Sequence, residues 1–143
     1  MTSTELENLV RIRKLKREPP ARPEFDGLMK SGRARLADAA NRSLALESRF
    51  DLAYNGAHAL ALAALRRLGY RSDNRYLVFQ VLGHTLGIPS PTWRVLATCH
   101  EERNQFEYGG VLDVNDGMVT DLLNAASSVL AALEGVQPPE PEP

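Results

Sequence analysis

The chain has 143 residues with a formal net charge of −1, hydrophobic residues at 43% and charged residues at 24%, enough for one domain with a core of its own. No apolar run approaches the ~18 residues that span a bilayer, and "MTSTELENLV" has no basic region followed by an apolar one, so neither a membrane span nor a signal peptide is expected. The single cysteine, Cys99, cannot form an internal disulfide, and a soluble cytoplasmic protein is the expectation.

Alanine and leucine dominate and β-branched residues are scarce, a composition that favours helix. Charge is uneven along the chain. Residues 1–75 hold 15 Lys and Arg against 9 Asp and Glu, while residues 76–143 hold 2 against 9, giving halves of +6 and −7. Such asymmetry marks either complementary faces that pack together, within the chain or across a dimer, or a nucleic-acid-binding half.

In chain order, "TSTELENLVRIRKLKRE" predicts a short helix with Ser3 and Thr4 as cap candidates and Glu7 placed for a capping box with Thr4. Its basic end suits the C-terminal dipole. "RIRKLKR" is then a solvated helix end or an RNA-contacting arm that adds salt-dependent affinity. "EPPARP" breaks the helix. A second helix is expected over about residues 23–44, weakened in the middle by Gly32. The third is the clearest, "SRFDLAYNGAHALALAALRRLGY". Ser48 and Asp51 bracket its start, its alanines let a neighbouring helix approach closely, and Gly69 follows it as a C′ residue. A fourth is expected over about residues 74–86. The fifth runs from near Thr92 to Gly109 and Gly110, and the last is "DGMVTDLLNAASSVLAALEG". No strand alternation and no internal repeat appear. The expectation is an all-α, antiparallel up-and-down bundle of four to five main helices plus a short N-terminal helix. Residues 1–18 form the N-terminal helix or arm, residues 19–135 the bundle and residues 136–143 a disordered Pro/Glu tail.

One stretch of the fifth helix, "HEERNQFEYGG", crowds its interactive side chains. His100, Asn104 and Tyr108 stack at i,i+4 along one face, with Arg103 and Glu107 stacked beside them. The stripe continues the line of Trp93, Leu96 and Ala97, so it begins on the core-facing side, where polar groups are paired or functional. As plain structure, Glu107 pairs with Arg103, Asn104 caps, Tyr108 fills a rim and His100 bonds a backbone carbonyl. Polar residues are also out of place in the alanine-rich third helix, so Asn55 and His58 are expected to face the same cleft, while Tyr54 belongs to that helix's apolar stripe.

The run "RFDLAYNGAHALALAALRRLGY", then a short helix, then "RNQFEYG" before a final helix, resembles the HEPN domains, small α-helical bundles also called the nucleotidyltransferase substrate-binding domain fold. The resemblance covers about residues 24–134. Many such domains carry an R-x(4–6)-H motif late in the bundle. In active members it is a metal-independent ribonuclease site, in which Arg and His act on the phosphodiester and the adjacent 2′-hydroxyl, usually across a dimer. Arg103 and Asn104 match the start of that motif, whereas the slot four residues further on holds Tyr108 in place of histidine. A tyrosine with a pKa of about 10 is a poor base beside an imidazole.

The resemblance therefore implies a homodimeric module that binds a nucleotide, RNA or a partner protein, with Arg103, Glu107, Asn55 and Tyr54 as binding residues and Arg103 meeting a phosphate. The alternative it offers is a metal-independent ribonuclease of a toxin–antitoxin or defence pair, using Arg103, Asn104 and Tyr108 with His100 or His58 handling protons. A third reading is a substrate-binding subunit for a separate nucleotidyltransferase. There is no glycine-rich phosphate loop, no H-E-x-x-H and no C-x-x-C, so no cofactor or metal is expected. "CHEE" sets Cys99 and His100 beside two acids, but adjacent residues point to different helix faces.

Overall fold

The computed structural model describes residues 3–109 and 113–141, with the side chains of residues 106–109 outside that description. The protein is an all-α helical bundle. In chain order it comprises α1 (Thr4–Arg11), β1 (Lys16–Arg17), α2 (Arg22–Ala39), α3 (Leu46–Arg67), β2 (Tyr70–Arg71), α4 (Arg75–Gln80), α5 (Leu82–Thr85), α6 (Ser90–Gly109) and α7 (Asp116–Glu134). No helix among the described residues is long and apolar enough to cross a membrane.

The alanine-rich α3 is the central element, packed by α2, α7, α4, α5 and α6. Phe50, Ala53, Tyr54, Ala57, Leu60, Ala61, Ala64 and Leu65 are all buried along it, and a helix apolar on nearly every side belongs inside. Its small residues permit close approach. Gly32 of α2 and Gly56 of α3 face one another at the crossing: a Cβ on Gly32 would stand 2.5 Å from Leu60 Cγ and 3.3 Å from the Gly56 carbonyl oxygen. Gly32, which weakens α2 as an isolated helix, is thus what lets α2 seat on α3. Alanine at an open helix site gains up to ~1 kcal/mol over glycine. Here Gly32→Ala is expected instead to cost about 1–3 kcal/mol through overpacking. Urea denaturation checks the sign, and a stabilised variant would mean that Leu60 swings clear without loss.

Several boundaries depart from the sequence expectation, each for a local reason. Ser3, not Thr4, caps α1, accepting from the Leu6 N–H, and Glu7 turns away from the predicted capping box to Tyr70 and Arg17. The basic stretch is not a helix end, because α1 stops at Arg11. The Lys14 N–H closes on the Leu9 carbonyl at 2.9 Å and the Arg13 N–H on that of Val10 at 3.0 Å, with Arg13 at φ 64°. This is a Schellman stop with arginine where glycine is usual. Lys16–Arg17 then pairs antiparallel with Tyr70–Arg71, a strand pair too short to produce any alternation. α2 ends at Ala39 rather than near residue 44, since the Asn41 side chain accepts from the Ser43 N–H at 3.0 Å and its hydroxyl at 2.7 Å, a turn that competes with helix. The α3 helix begins at Leu46, placing Ser48 and Asp51 inside it; Gly69 follows it at φ +91° as expected. The expected fourth helix is two, α4 and α5, with Val81 between them. Pro91, tolerated in a first turn, lets α6 start at Ser90.

Two buried arginines tie the bundle ends. Arg49 is 6% exposed, donates to the Ala39 carbonyl at 2.8 Å at the end of α2, and stands 3.8 Å from Asp116 at the start of α7. That pair and the exposed Arg33–Glu134 pair at 3.6 Å join the basic and acidic halves. The expected tail begins along the bundle: Arg67 donates to the Gln137 carbonyl at 2.8 Å and Arg22 to that of Pro139 at 3.3 Å.

Candidate functional site

Three elements bring the polar residues together. Helical spacing sets Asp51, Tyr54, Asn55 and His58 on one stripe of α3, and His100, Arg103 and Asn104 on one stripe of α6. α4 adds Arg75, Tyr76 and Phe79 from the side. Asn74 caps α4, accepting from the Leu77 N–H at 3.1 Å, and so fixes where Arg75 and Tyr76 begin.

At the centre, Tyr54 is 1% exposed and anchored edge-on against Phe79, with ring centroids 6.0 Å apart. Its hydroxyl lies 2.8 Å from His100 Nδ1, and the Asn104 amide nitrogen lies 3.1 Å from His100 Nε2. An amide nitrogen donates, so Nε2 accepts in this arrangement. Nδ1 then faces the Tyr54 hydroxyl, so the ring is held between α3 and α6 by a contact at each nitrogen. Tyr76 approaches the same imidazole, its ring 6.2 Å away and tilted by 60°.

Two guanidiniums lie over the Tyr54 ring, Arg103 at 4.9 Å and Arg75 at 5.5 Å from its centroid, close enough for cation–π attraction. Arg103 is held from behind by Asp51 at 3.4 Å, a carboxylate that is itself exposed. Arg75 donates to the Asn55 side-chain oxygen at 3.1 Å, while Asn55 donates to the Asp51 carbonyl at 2.9 Å. The result is a concentration of positive charge above hydrogen-bonding aromatic groups. Chemically this suits an anion with oxygen acceptors, such as a phosphate.

His58 lies one turn further along α3 with its ring edge-on to Phe79 at 6.0 Å. Burial first, then the positive charge of Arg75 and the nearness of His100, push its pKa down to about 4. It is neutral at physiological pH and contributes an uncharged wall. The thiol of Cys99 is pushed up to about 12 by burial and by Glu102 and Asp121, which leaves it unreactive. Among the described residues no group of three or more His, Cys, Asp or Glu could hold a metal ion.

The structure thus gathers Tyr54, Asn55, His58, His100, Arg103 and Asn104 from the sequence-derived set. Glu107 and Tyr108 lie outside the described residues as far as side chains are concerned. Sequence reasoning missed Arg75, Tyr76 and Asp51. Asp51 looked like a cap, and no periodicity links Arg75 or Tyr76 to residues on α6. No family model, curated protein or solved structure matches the chain.

Proposed function

We propose that this bundle is a HEPN-like module that binds RNA or nucleotide phosphate at the Tyr54–His100–Asn104 cluster. The observation that carries this reading is the pair of guanidiniums, Arg75 and Arg103, lying over Tyr54 beside the His100 imidazole. A phosphate would take the place of the exposed Asp51 carboxylate on Arg103. Binding rather than chemistry is favoured by His100 itself, because both its nitrogens are engaged and proton transfer would need Tyr54 or Asn104 to let go. The resemblance also implies a homodimer, which light scattering at several concentrations checks.

A second reading, a metal-independent ribonuclease, draws on the same geometry, since the imidazole sits next to Arg103 on one helix face. One experiment separates the two. Structured and single-stranded RNAs are incubated with protein in chelator, and their binding is measured in parallel. The expected result is retention without cleavage, and an affinity that falls roughly 10- to 100-fold in Arg103→Ala, the worth of a charge-assisted hydrogen bond. Cleavage that disappears in both Arg103→Ala and His100→Ala would make the protein a ribonuclease. Wild-type protein that binds neither RNA nor nucleotide would sink both readings.

A further inference from the structure

A second basic feature lies beside this cluster. The turn after α1 and the start of α4 enclose a groove of about 530 Å³, lined by Arg13, Lys14, Lys16, Arg71, Asp73 and Tyr76 among others. That volume falls within the ~300–1,000 Å³ of small-ligand sites. Arg71 is committed to Glu18 and Glu24. Arg13, Lys14 and Lys16 are exposed and have no ion-pair partner among the described residues. Strand alternation separates the last two basic residues of the run: Arg17 turns to Glu7, and Lys16 to the groove. Asp73 is the one acid among the lining residues.

Two further observations give the groove a direction and a cost. Tyr76 lines it and is also the ring 6.2 Å from His100, so one aromatic side chain spans the groove and the candidate site. Arg13 sits at φ 64°, the C′ position of a Schellman stop that glycine fills without strain. An arginine kept there gives up backbone stability, and its charge faces the groove.

We propose that this groove is the path along which single-stranded RNA runs to the His100 cluster, its phosphates on Arg13, Lys14 and Lys16 and a base against Tyr76. The inference rests on the phosphate-binding reading of that cluster and adds the substrate class: a strand rather than a free nucleotide. Three cations beside one aromatic ring suit a strand that offers both phosphates and a base. An acidic peptide would use the cations but not the ring, nor the imidazole and guanidiniums beyond it.

The test measures binding of a short labelled single-stranded RNA and of AMP to the full chain, by anisotropy across a salt series. Combined replacement of Arg13, Lys14 and Lys16 by alanine is expected to weaken RNA binding and to leave AMP binding unchanged. At ~0.7 in slope per single-strand phosphate contact, the plot of log affinity against log salt should become shallower by about 2. Tyr76→Leu is expected to lose about tenfold in RNA affinity, the worth of one stacked base. Arg13→Gly is expected to weaken RNA binding while raising the melting temperature by roughly 2 °C, as relief of a left-handed arginine predicts. RNA affinity and salt slope unchanged in the triple variant, with Arg103→Ala still impaired, would remove the groove and keep the proposed function. If neither RNA nor AMP bound the wild type, the proposed function would fall and this inference with it. Polyglutamate that binds as tightly as RNA, with the same dependence on the three cations, would overturn RNA in favour of an acidic protein partner.

Discussion

Arg66→Ala is expected to lower the free energy of unfolding by about 3–5 kcal/mol, the range for removing one partner of a buried charged network. Arg66 is 2% exposed at the end of α3. Its Nε donates to Glu24 at 2.7 Å. One terminal nitrogen donates to the carbonyls of Glu18 at 2.8 Å and Tyr70 at 3.2 Å. The other donates to the Pro19 carbonyl at 2.7 Å and stands 3.3 Å from the Glu18 carboxylate. Four of the five guanidinium hydrogens are therefore in hydrogen bonds, with the Glu18 carboxylate as an ion-pair partner beside them. The cost comes from the packed stem and from the carbonyls left without this donor, above all the buried one of Tyr70, because Glu18, Glu24 and Pro19 are at least partly exposed and water can serve them. Arg66→Met, which restores the packed stem, is expected to remain about 2 kcal/mol below wild type for that reason. Arg66→Lys has three donors on a point charge and recovers only part. Urea melts of the three variants give the order, and a loss under about 1 kcal/mol in the alanine variant would show that the network is dispensable. Arg66 also pins Glu18 and Pro19 against β2, so its loss should loosen the β1–β2 pair and the basic groove built on it.

That arginine illustrates what the sequence could and could not disclose. At a helix C-terminus, "RR" looks like two solvated cations favoured by the dipole, and Arg67 fits that description better than its buried neighbour. Burial of Arg66 is decided by Glu24 and the carbonyls of Glu18 and Pro19, more than 40 residues away. The long helices were legible because their apolar stripes repeat at helical spacing, and Gly69 was legible because only a left-handed residue ends α3 so sharply. In the candidate site, the pairing of His100 with Asn104 follows from i,i+4 spacing within one helix. The placement of Asn55 and His58 nearby followed from their polarity in an alanine-rich setting. Arg75 did not stand out: it follows a cap residue, and it reaches Tyr54 and Asn55 only through the packing of α4 on α3. Contacts within a helix leave a period in the sequence; contacts between helices do not.

Stability is expected to fall in acid through His58, with a sign set by the direction of its shift. Burial, then Arg75 and His100, hold its pKa at about 4 against an ordinary 6.5, so the unfolded chain takes up its proton first as pH drops. The contribution is therefore complete above pH 6.5, falls progressively below it and is exhausted near pH 4. A shift of that size corresponds to about 3 kcal/mol, with partial exposure of the ring making this an upper value. The groups facing it are Arg75 from α4 and His100 from α6, with Phe79 offering an aromatic edge, so no carboxylate in this set stabilises an imidazolium. Carboxylates also titrate in this window. Burial raises Glu24, but hydrogen bonds from Arg71 and Arg66 outweigh it and hold the group below the ordinary carboxylate range. Glu7 is held below that range by Arg17 and Tyr70. Both are common to wild type and His58→Gln, so the difference between their stability curves isolates the histidine. Wild type is expected to lose up to about 3 kcal/mol more than the variant on going from neutral pH to pH 4. Parallel curves would mean that His58 takes up its proton in the folded state as readily as in the unfolded chain. It would then bring a further positive charge to the cluster at mildly acid pH, and the site would be a stronger anion receptor there than a neutral His58 allows.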